Sequence, residues 1–432
     1  MFSKKMNELP QPLLDFISAV GRLSDSEKVP VYLVGGFVRD LMLKVKNFDM
    51  DFVVEGDAIL FATQLAKLFS YKILTHHRFG TAILTGLEGF KVDFASARKE
   101  TYAAPAALPN VTFGSIEDDL LRRDFTINAM AIRIHAKGLG ELIDISGGKK
   151  DLSDRVIRAL HNLSFIDDPT RILRAVRFEQ RFDFRIEKET RGWIKRAVDA
   201  GGLHCVQKHR VRDELVLVFE EKDPVKCLKR LHEISGLSFI AAKFKFQKQW
   251  KAYFLEASKK IAWFAENFHH KKRHLEPTAM FMSLVFYCIP LGDLKKLVHA
   301  FAFHKCQTSR IISLKSEFQK VQKELGVKNI KPSLVYKLLE PLTYEVILAM
   351  TVLSKNSLFF ERVKEFLFFY NGQRLHVKGE DLKAAGLTPG PMYKKILNEL
   401  LSAKIDGEVN TKEEELEFLK KILHRHSSLK IS

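Results

Sequence analysis

The sequence predicts an α/β N-terminal part, a mixed sheet with flanking helices, followed by an all-α remainder. Short β-rich runs fill the chain from Val31 to about Ile145, with one clear helix between them. From Pro169 onward the apolar residues recur with helical period. Glycine and proline loop signals separate these helical segments, at 201–202, 236, 290–292 and 388–391. An α/β part and a helical part are therefore expected in succession.

Each element follows from its local pattern. Residues 10–23 have the apolar spacing of an amphipathic helix, and DAILFATQLAKLF is a second predicted helix. Six runs rich in β-forming residues are predicted strands. They are VYLV, MDFVV, TAILTGL, FKVDFA, AMAIRIH and GELIDI. Few helices and many short connections favour mixed or antiparallel pairing, and no strand is expected after SGGKKDLSDRVIRAL.

Length and composition limit the class of protein. With 432 residues the chain exceeds one ordinary core, so two to four domains are expected. A content of 46% hydrophobic and 28% charged residues is typical of soluble globular proteins. The apolar run at 280–291 is too short for a membrane span, and MFSKKMNELPQPLLDF lacks the features of a signal peptide. Four widely spaced cysteines indicate free thiols and a reduced, cytoplasmic protein.

The positive charge is unevenly distributed. The chain carries a formal charge of +18, and residues 241–330 contain 17 Lys or Arg against 6 Asp or Glu. Such a segment is a candidate surface for a polyanion. The alternative is a lysine-rich helical surface that is simply solvated. An anionic membrane surface is less favoured because the sequence contains no lipid-anchor motif.

The stretch VYLVGGFVRDLMLKVKNFDMDFVV carries the first candidate site. Gly35 and Gly36 follow a strand, so backbone amides could approach a phosphate there, although a flexible turn alone would also explain them. Asp49 and Asp51 project to the same face of a strand and repel each other unless a cation lies between them. Hard divalent cations take carboxylate oxygens, so the combination predicts a Mg²⁺ site suited to nucleotidyl transfer.

Two later segments could complete this site. Asp93, in KVDFA, is either a third carboxylate or the partner of Arg98 in a salt bridge at the sheet edge. In DDLLRRDFTINAMAI the adjacent arginines Arg122 and Arg123 are expected to face opposite ways. One would reach a triphosphate, and the other would pair with an acid at 118 or 119.

The segment FIDDPTRILRAVRFEQRF carries a second candidate site. Asp168 before Pro169 predicts a helix N-cap with proline at the first helical position. Arg171, Arg174 and Arg177 follow at spacings of three, which places a cationic stripe beside that acid.

An aspartate beside an arginine can also recognise a base. Cytosine and adenine both present an amino donor beside a ring acceptor, whereas uracil and guanine present a carbonyl and an N–H. An Asp–Arg pair therefore favours C and A together. A mismatch that leaves buried polar groups unpaired supports discrimination of ~10⁴-fold. The capping role and the recognition role are compatible.

These blocks together resemble the class II tRNA nucleotidyltransferases, the CCA-adding enzymes of the DNA polymerase β-like superfamily. The resemblance covers about the first 235 residues through VGGFVRD…DMD, RRDFTINAMA, DISGGKKDLSDRVIR, DDPTRILRAVRF and HRVRDELVLVF, and the C-terminal VKGEDLKAAGLTPGPMYKKILNEL also resembles the family. It implies Mg²⁺ on Asp49 and Asp51. It further implies nucleotide contacts from Gly36, Arg39, Arg123, Asp168, Arg171, Arg174 and Arg177, with Asp168 and Arg171 recognising the base. Where the family usually has Glu-Asp, this chain has Asp167-Asp168.

The resemblance also implies a domain order and partners. A nucleotidyltransferase head is expected at 1–152, followed by an all-α neck at 153–235, body at 236–345 and tail at 346–432. The implied substrates are CTP, ATP and the acceptor and TΨC side of tRNA. No membrane or protein partner is implied.

Alternatives to complete CCA addition remain open. They are an enzyme that adds only A or only CC, a bacterial poly(A) polymerase, and an RNA-binding protein without catalysis. The loop ARKETYAAPAALPNVTFGSIEDD favours competence for A, and HHRFGTAIL lacks the GRRF-like stretch of poly(A) polymerases. Paired carboxylates beside a phosphate site argue against a protein that only binds RNA.

Overall fold

The computed structural model describes residues 9–45, 49–85, 90–101, 110–268 and 275–428. The chain divides into two units, Met1–Lys245 and Phe246–Ser432, each of which is described by itself. The prediction that the N-terminal stretch is not a signal peptide rests partly on residues 1–8. The middle of the loop that favours A addition consists of residues 102–109. Both stretches lie outside the described residues.

The first unit begins as an α/β domain and ends as helices. Its α/β part contains α1 (Gln11–Glu27), β1 (Val31–Val34), α2 (Gly36–Leu43), β2 (Asp49–Val54), α3 (Ala58–Phe69), β3 (Lys72–His76), β4 (Thr81–Thr85), β5 (Lys91–Ser96), β6 (Arg98–Thr101), β7 (Asn110–Phe113), α4 (Ile116–Leu121), β8 (Ala131–His135), β9 (Gly138–Ile143) and α5 (Gly148–Asp154). Its helical part contains β10 (Val156–Ile157), α6 (Ser164–Asp167), α7 (Arg171–Phe182), β11 (Arg185–Ile186), α8 (Lys188–Asp199), α9 (Gly202–Cys205), α10 (Lys208–Phe219) and α11 (Pro224–Ser235).

The described residues of the first unit include a mixed sheet of seven strands. Their order is β3-β4-β5-β2-β1-β8-β9, with β2 and β5 parallel and the other neighbours antiparallel. The parallel register aligns Asp51 with Asp93. All six predicted strands and both predicted helices are present, which confirms the predicted fold class.

The burial pattern of β2 explains why this strand carries the site. Asp49 and Asp51 are exposed, whereas Met50, Phe52 and the residues that follow are buried. The ring of Phe52 stacks on Phe94 of β5 at a centroid distance of 4.8 Å. The buried end of β2 thus anchors the strand in the core, and its first residues present carboxylates at the surface.

The structure also contains strands that the sequence analysis did not predict. The edge strand β3 alternates between exposed and half-buried residues, and β6 pairs with β7 as a separate ribbon. The expectation of no strand after SGGKKDLSDRVIRAL is wrong, because β11 lies beyond this segment and forms a short parallel pair with β10, which lies within it. Each has two residues, which is too few to give a recognisable alternation.

The second unit is helical in its described residues. It contains α12 (Trp250–Phe268), α13 (Pro277–Phe286), α14 (Leu291–Ala300), α15 (Lys305–Leu325), α16 (Pro332–Leu339), α17 (Tyr344–Leu353), α18 (Ser357–Glu365), a π-helical turn (Phe366–Tyr370), α19 (Gly379–Ala384), α20 (Pro391–Ile405) and α21 (Lys412–Ser428). One apolar core is shared by the helices α12, α13, α15, α16, α17 and α18. A smaller apolar core is shared by α19, α20 and α21.

Two further expectations are tested by the structure. Among the described residues, no helix has the length and apolarity needed to cross a membrane. All four cysteines lie in described segments and are free thiols, as their spacing predicts. The boundaries between the predicted head, neck, body and tail remain predictions.

Candidate active site

An arginine-rich cavity of about 880 Å³ opens between the sheet and helix α7. Of the described residues, ten arginines and four carboxylates line it. The arginines are Arg39, Arg78, Arg98, Arg122, Arg123, Arg171, Arg174, Arg177, Arg181 and Arg210. This excess of positive charge suits a polyanionic ligand such as a triphosphate.

The turn from β1 into α2 brings the backbone to the cavity. Gly35 has φ +66°, a conformation that L side chains rarely adopt, and a Cβ there would lie 2.8 Å from Nη1 of Arg123. The positive φ therefore favours glycine at position 35, and a side chain there would also displace the guanidinium of Arg123. Gly36 has no positive φ and begins α2. Both glycines line the cavity.

Arg39 lines the cavity, and its guanidinium is engaged by the protein. Nε and Nη2 donate to Asp40 at 2.8 and 3.0 Å, and Nη1 donates to Asn128 Oδ1 at 2.7 Å. The guanidinium also lies over the rings of Phe178 and Phe182, at 5.3 and 4.7 Å. Arg39, which is 5% exposed, thus ties α2 to α7.

The candidate metal ligands lie on two paired strands. Asp51 lines the large cavity and also a second one of about 290 Å³, which Asp93 lines as well. Asp49 is exposed on β2 and is not among the described residues that line either cavity. The alternative that Asp93 pairs with Arg98 is wrong, because Asp93 Oδ2 accepts from Lys91 Nζ at 2.7 Å. Arg98 pairs with a glutamate, Glu100, instead.

The electrostatics of this group suit a divalent cation. Asp51 faces the open cavity, yet the protein around it partly desolvates its carboxylate and raises its pKa. The carboxylates of Asp93 and Asp49 add to the increase, and Arg123 opposes it. Oδ1 of Asp93 is buried and accepts no hydrogen bond from the described residues. Within the described segments, no group of three or more His, Cys, Asp or Glu is arranged to hold a metal. A pair of carboxylates completed by substrate phosphates is a common arrangement for Mg²⁺.

The adjacent arginines converge on one acid. Arg122 donates to Oδ1 of the buried Asp119 at 2.6 Å, and Arg123 donates to Oδ2 at 2.8 Å. The expectation that they face opposite ways is therefore wrong, whereas the expected pairing with an acid at 118 or 119 is confirmed at Asp119. Burial opposes ionisation of Asp119, but the two arginines outweigh it and lower its pKa. Asp119 therefore holds both guanidinium groups at the cavity wall.

Asp124 connects the sheet domain to α7. Its Oδ1 accepts from Asn128 Nδ2 at 3.0 Å, and its Oδ2 accepts from Nη2 of Arg174 at 2.7 Å. Burial disfavours the charge on Asp124, but Arg174, Asn128 and Arg171 outweigh it and lower the pKa to about 2. Burial also disfavours the charge on Arg174, yet Asp124 and Glu214 raise its pKa. Each charge thus stabilises the other.

Arg177 is more loosely paired. It is 5% exposed, with Nη2 3.7 Å from Glu214 and Nη1 3.5 Å from Glu221. Burial lowers its pKa. Its buried Nε and Oε2 of Glu214 find no hydrogen-bond partner among the described residues. A buried donor without a partner on the cavity wall suits an anionic ligand.

Asp168 occupies a different local position from the one predicted. Helix α7 begins at Arg171 with Thr170 as its N-cap, so Asp168 is not the cap and Pro169 is not the first helical residue. Oδ1 of Asp168 accepts from the backbone N–H and the hydroxyl of Thr170, at 3.1 and 2.6 Å. Oδ2 accepts from Nη2 of Arg210 at 2.8 Å. Both oxygens of the Asp168 carboxylate therefore accept hydrogen bonds from the protein.

Arg171 is held by other partners than those of Asp168. Its Nη1 donates to Oγ of Ser164 at 2.6 Å, and its Nη2 donates to the carbonyl of Arg122 at 2.8 Å. Asp168 and Arg171 both line the large cavity.

The structure brings most of the predicted site residues together. Nine of the eleven line the large cavity: Gly35, Gly36, Arg39, Asp51, Arg123, Asp168, Arg171, Arg174 and Arg177. Sequence reasoning assigned no role to Arg210 or Glu214, although both lie in HRVRDEL, a segment recognised by resemblance. The signal available in the sequence was the spacing of Arg210 and Glu214, two charged residues four apart on one helix, which places them on the same face.

This arrangement defines a class of enzyme. A mixed sheet, a glycine turn and exposed carboxylates beside an arginine-lined cavity are the elements of a nucleotidyltransferase. Residues 31–158 match the family described as Poly A polymerase head domain. Residues 183–240 match the family described as probable RNA and SrmB-binding site of polymerase A.

Individual proteins that match most of this chain are also nucleotidyltransferases. The chain is 35% identical to an A-adding tRNA nucleotidyltransferase of Geobacter sulfurreducens, over 94% of this chain but 47% of the relative. It is 31% identical to an A-adding tRNA nucleotidyltransferase of Halalkalibacterium halodurans, over 96% and 94% of the two chains. The Thermotoga maritima CCA-adding enzyme, solved with tRNA, superposes with a TM-score of 0.68 at 33% identity, covering 98% of each chain. The chain belongs to the tRNA nucleotidyltransferase family.

Proposed function

We propose that this chain adds CCA to the 3′ end of tRNA, using CTP and ATP without a nucleic-acid template. One observation carries this proposal: a single cavity unites Asp51, the arginines and the pair Asp168 and Arg171. A nucleoside triphosphate bound there would have its phosphates near the carboxylate and its base near the pair. The smaller cavity also contains Asp51 and would receive the 3′ end of the RNA.

The chemical step is a nucleotidyl transfer. The 3′-hydroxyl attacks the α-phosphate, a new phosphodiester bond forms, and pyrophosphate leaves. Asp49 and Asp51 would hold Mg²⁺, and the free buried oxygen of Asp93 supports a third carboxylate near them. Mg²⁺ supplies a lower pKa for the attacking hydroxyl and neutralises charge on the leaving group. Arg123 and Arg174 line the same cavity and would bind the triphosphate.

Base choice would depend on hydrogen bonds to the Watson–Crick edge. Asp168 accepts from the amino group of C or A, and Arg171 donates to the neighbouring ring nitrogen. U and G present the opposite polarity, which leaves the side chains unpaired and is disfavoured. Because Arg171 is already fixed by Ser164 and the carbonyl of Arg122, the donor is preorganised.

The helical remainder would bind tRNA by charge and shape. Residues 241–330 carry 17 basic against 6 acidic residues, and the T. maritima structure contains tRNA. Contacts to phosphates predict binding that weakens steeply with salt. Recognition of shape would require no sequence motif in the RNA.

A second candidate function is addition of only the terminal A. The observation that favours it is the name A-adding on relatives that match 94% and 96% of this chain. Both candidates require competence for ATP and use the same cavity.

The test is transfer of labelled AMP to a tRNA transcript that ends in CC, with Mg²⁺. We expect incorporation by the wild type and none by Asp51→Asn, with tRNA affinity unchanged. The matched control is Asp154→Asn, since Asp154 pairs with Lys150 on the surface. Incorporation by Asp51→Asn at the wild-type rate would overturn the assignment.

A further inference from the structure

We propose that Arg210 is a positioning residue for base selection, because it sets the direction in which Asp168 accepts a hydrogen bond. This inference rests on the proposed function, and it assigns a role to a residue outside the set identified from the sequence.

The acceptor sites of Asp168 are nearly all used. An aspartate carboxylate offers about four lone-pair sites. Thr170 uses two on Oδ1, through its N–H and its hydroxyl, and Arg210 uses one on Oδ2. The site that remains for a base is therefore on Oδ2, the atom that Arg210 holds.

Arg210 is itself fixed in place. It lies in the first turn of α10, and its side chain is 23% exposed where it pairs with Asp168, which is 18% exposed. Helix α10 is attached to α7 because Glu214 binds Arg174 at 3.2 Å. Arg210 thus transmits the position of α10 to the carboxylate.

The two halves of the recognition pair have different side-chain partners. Arg171 is fixed by Ser164 of α6 and by the carbonyl of Arg122 at the end of α4. Oδ1 of Asp168 is held by Thr170, and Oδ2 is held by Arg210 of α10. The direction in which Oδ2 of Asp168 can accept from a base therefore depends on α10. Without Arg210, Oδ2 would regain a second lone pair and lose its fixed direction, and selectivity for the amino group would fall.

The experiment measures equilibrium binding of CTP, ATP, UTP and GTP to the full chain with Mg²⁺ and without tRNA. In the wild type we expect CTP and ATP to bind more tightly than UTP and GTP. Arg210→Ala should reduce that ratio about tenfold, the loss expected for one charge-assisted hydrogen bond. Arg210→Lys should restore part of it. Arg212→Ala is the matched control, since Arg212 lies on the same helix and pairs with Asp213.

A double-mutant comparison separates positioning from direct contact. In an Asp168→Asn background, Arg210→Ala should cause no further loss of selectivity, because residues that act through one another are not additive. Additive losses would mean that Arg210 contacts the base itself and would overturn the positioning role. Retained selectivity in a folded Arg210→Ala variant would also overturn it. A wild type that binds all four nucleotides equally would instead refute base recognition in the proposed function, and this inference with it.

Discussion

Nη2 of Arg174 lies 2.7 Å from Oδ2 of Asp124, which joins helix α7 to the segment that follows α4. Asn128 binds the other oxygen of Asp124 and also accepts from Arg39 of α2. One continuous set of polar contacts therefore connects the glycine turn, the sheet domain and the helix that carries Arg171. These contacts therefore link the residues proposed to recognise the base to those proposed to bind the phosphates.

The Asp124–Arg174 pair predicts a pH dependence of stability. The pKa of Asp124 is lowered to about 2 in the folded chain, against about 4 for an unfolded aspartate. Its contribution is fully present above pH ~4 and is lost as pH falls toward ~2. We expect the free energy of unfolding of the wild type to fall more steeply across this interval than that of Asp124→Asn. Urea unfolding at a series of pH values measures these free energies. An equal decrease between pH ~4 and ~2 in the two proteins would contradict this prediction.

Asp51→Asn should raise the melting temperature in the absence of divalent cations. Desolvation and the neighbouring carboxylates of Asp93 and Asp49 raise the pKa of Asp51, so its charge is unfavourable in the folded state. With Mg²⁺ the wild type should gain stability and the variant should gain less. Thermal melts with and without Mg²⁺ test this, with Asp154→Asn as control. An equal gain in both would count against metal binding at Asp51.

Gly35→Ala should destabilise the chain and weaken nucleotide binding. Position 35 has φ +66°, and the added Cβ would lie 2.8 Å from Nη1 of Arg123. A non-glycine residue in such a conformation costs roughly 1–3 kcal/mol. The matched control is Gly192→Ala in α8, where a Cβ meets nothing within 4 Å and helix propensity favours alanine. If the two variants unfold at the same urea concentration, the steric argument fails.

Asp168→Ala should relax base choice more than it slows transfer. It removes the proposed acceptor for the amino group, while Asp51 and its neighbours are untouched. Primer extension with each of the four nucleotides measures the change, and incorporation of UTP and GTP relative to CTP and ATP should rise. Unchanged misincorporation would mean that the carboxylate serves only its local contacts with Thr170 and Arg210.

The sequence predicted the strands and the exposed carboxylates well because both are local patterns. Alternation in DMDFVV places Asp49 and Asp51 on one face whatever surrounds them. The short strands β10 and β11 were not predicted, because two residues are too few to show the alternation of buried and exposed positions typical of a strand.

The partners of the arginines were not predictable in the same way. Arg174 and Arg177 have the spacing of a free cationic stripe, yet both pair with Glu214 of α10, and Arg174 also pairs with Asp124. A buried guanidinium requires counter-charges, and only the fold determines which distant acids supply them. The same holds for Asp168, whose partner Arg210 lies on a later helix.

The most direct test of the central proposal uses two tRNA transcripts, one ending at the discriminator base and one ending in CC. Each is incubated with Mg²⁺ and with CTP, ATP, UTP and GTP separately, and then with CTP and ATP together. We predict three additions to the first transcript with the mixture, one A on the second, and no further extension. Addition of A to the second transcript alone would contradict complete CCA synthesis and support the A-adding candidate. Long A tails on either transcript would contradict both.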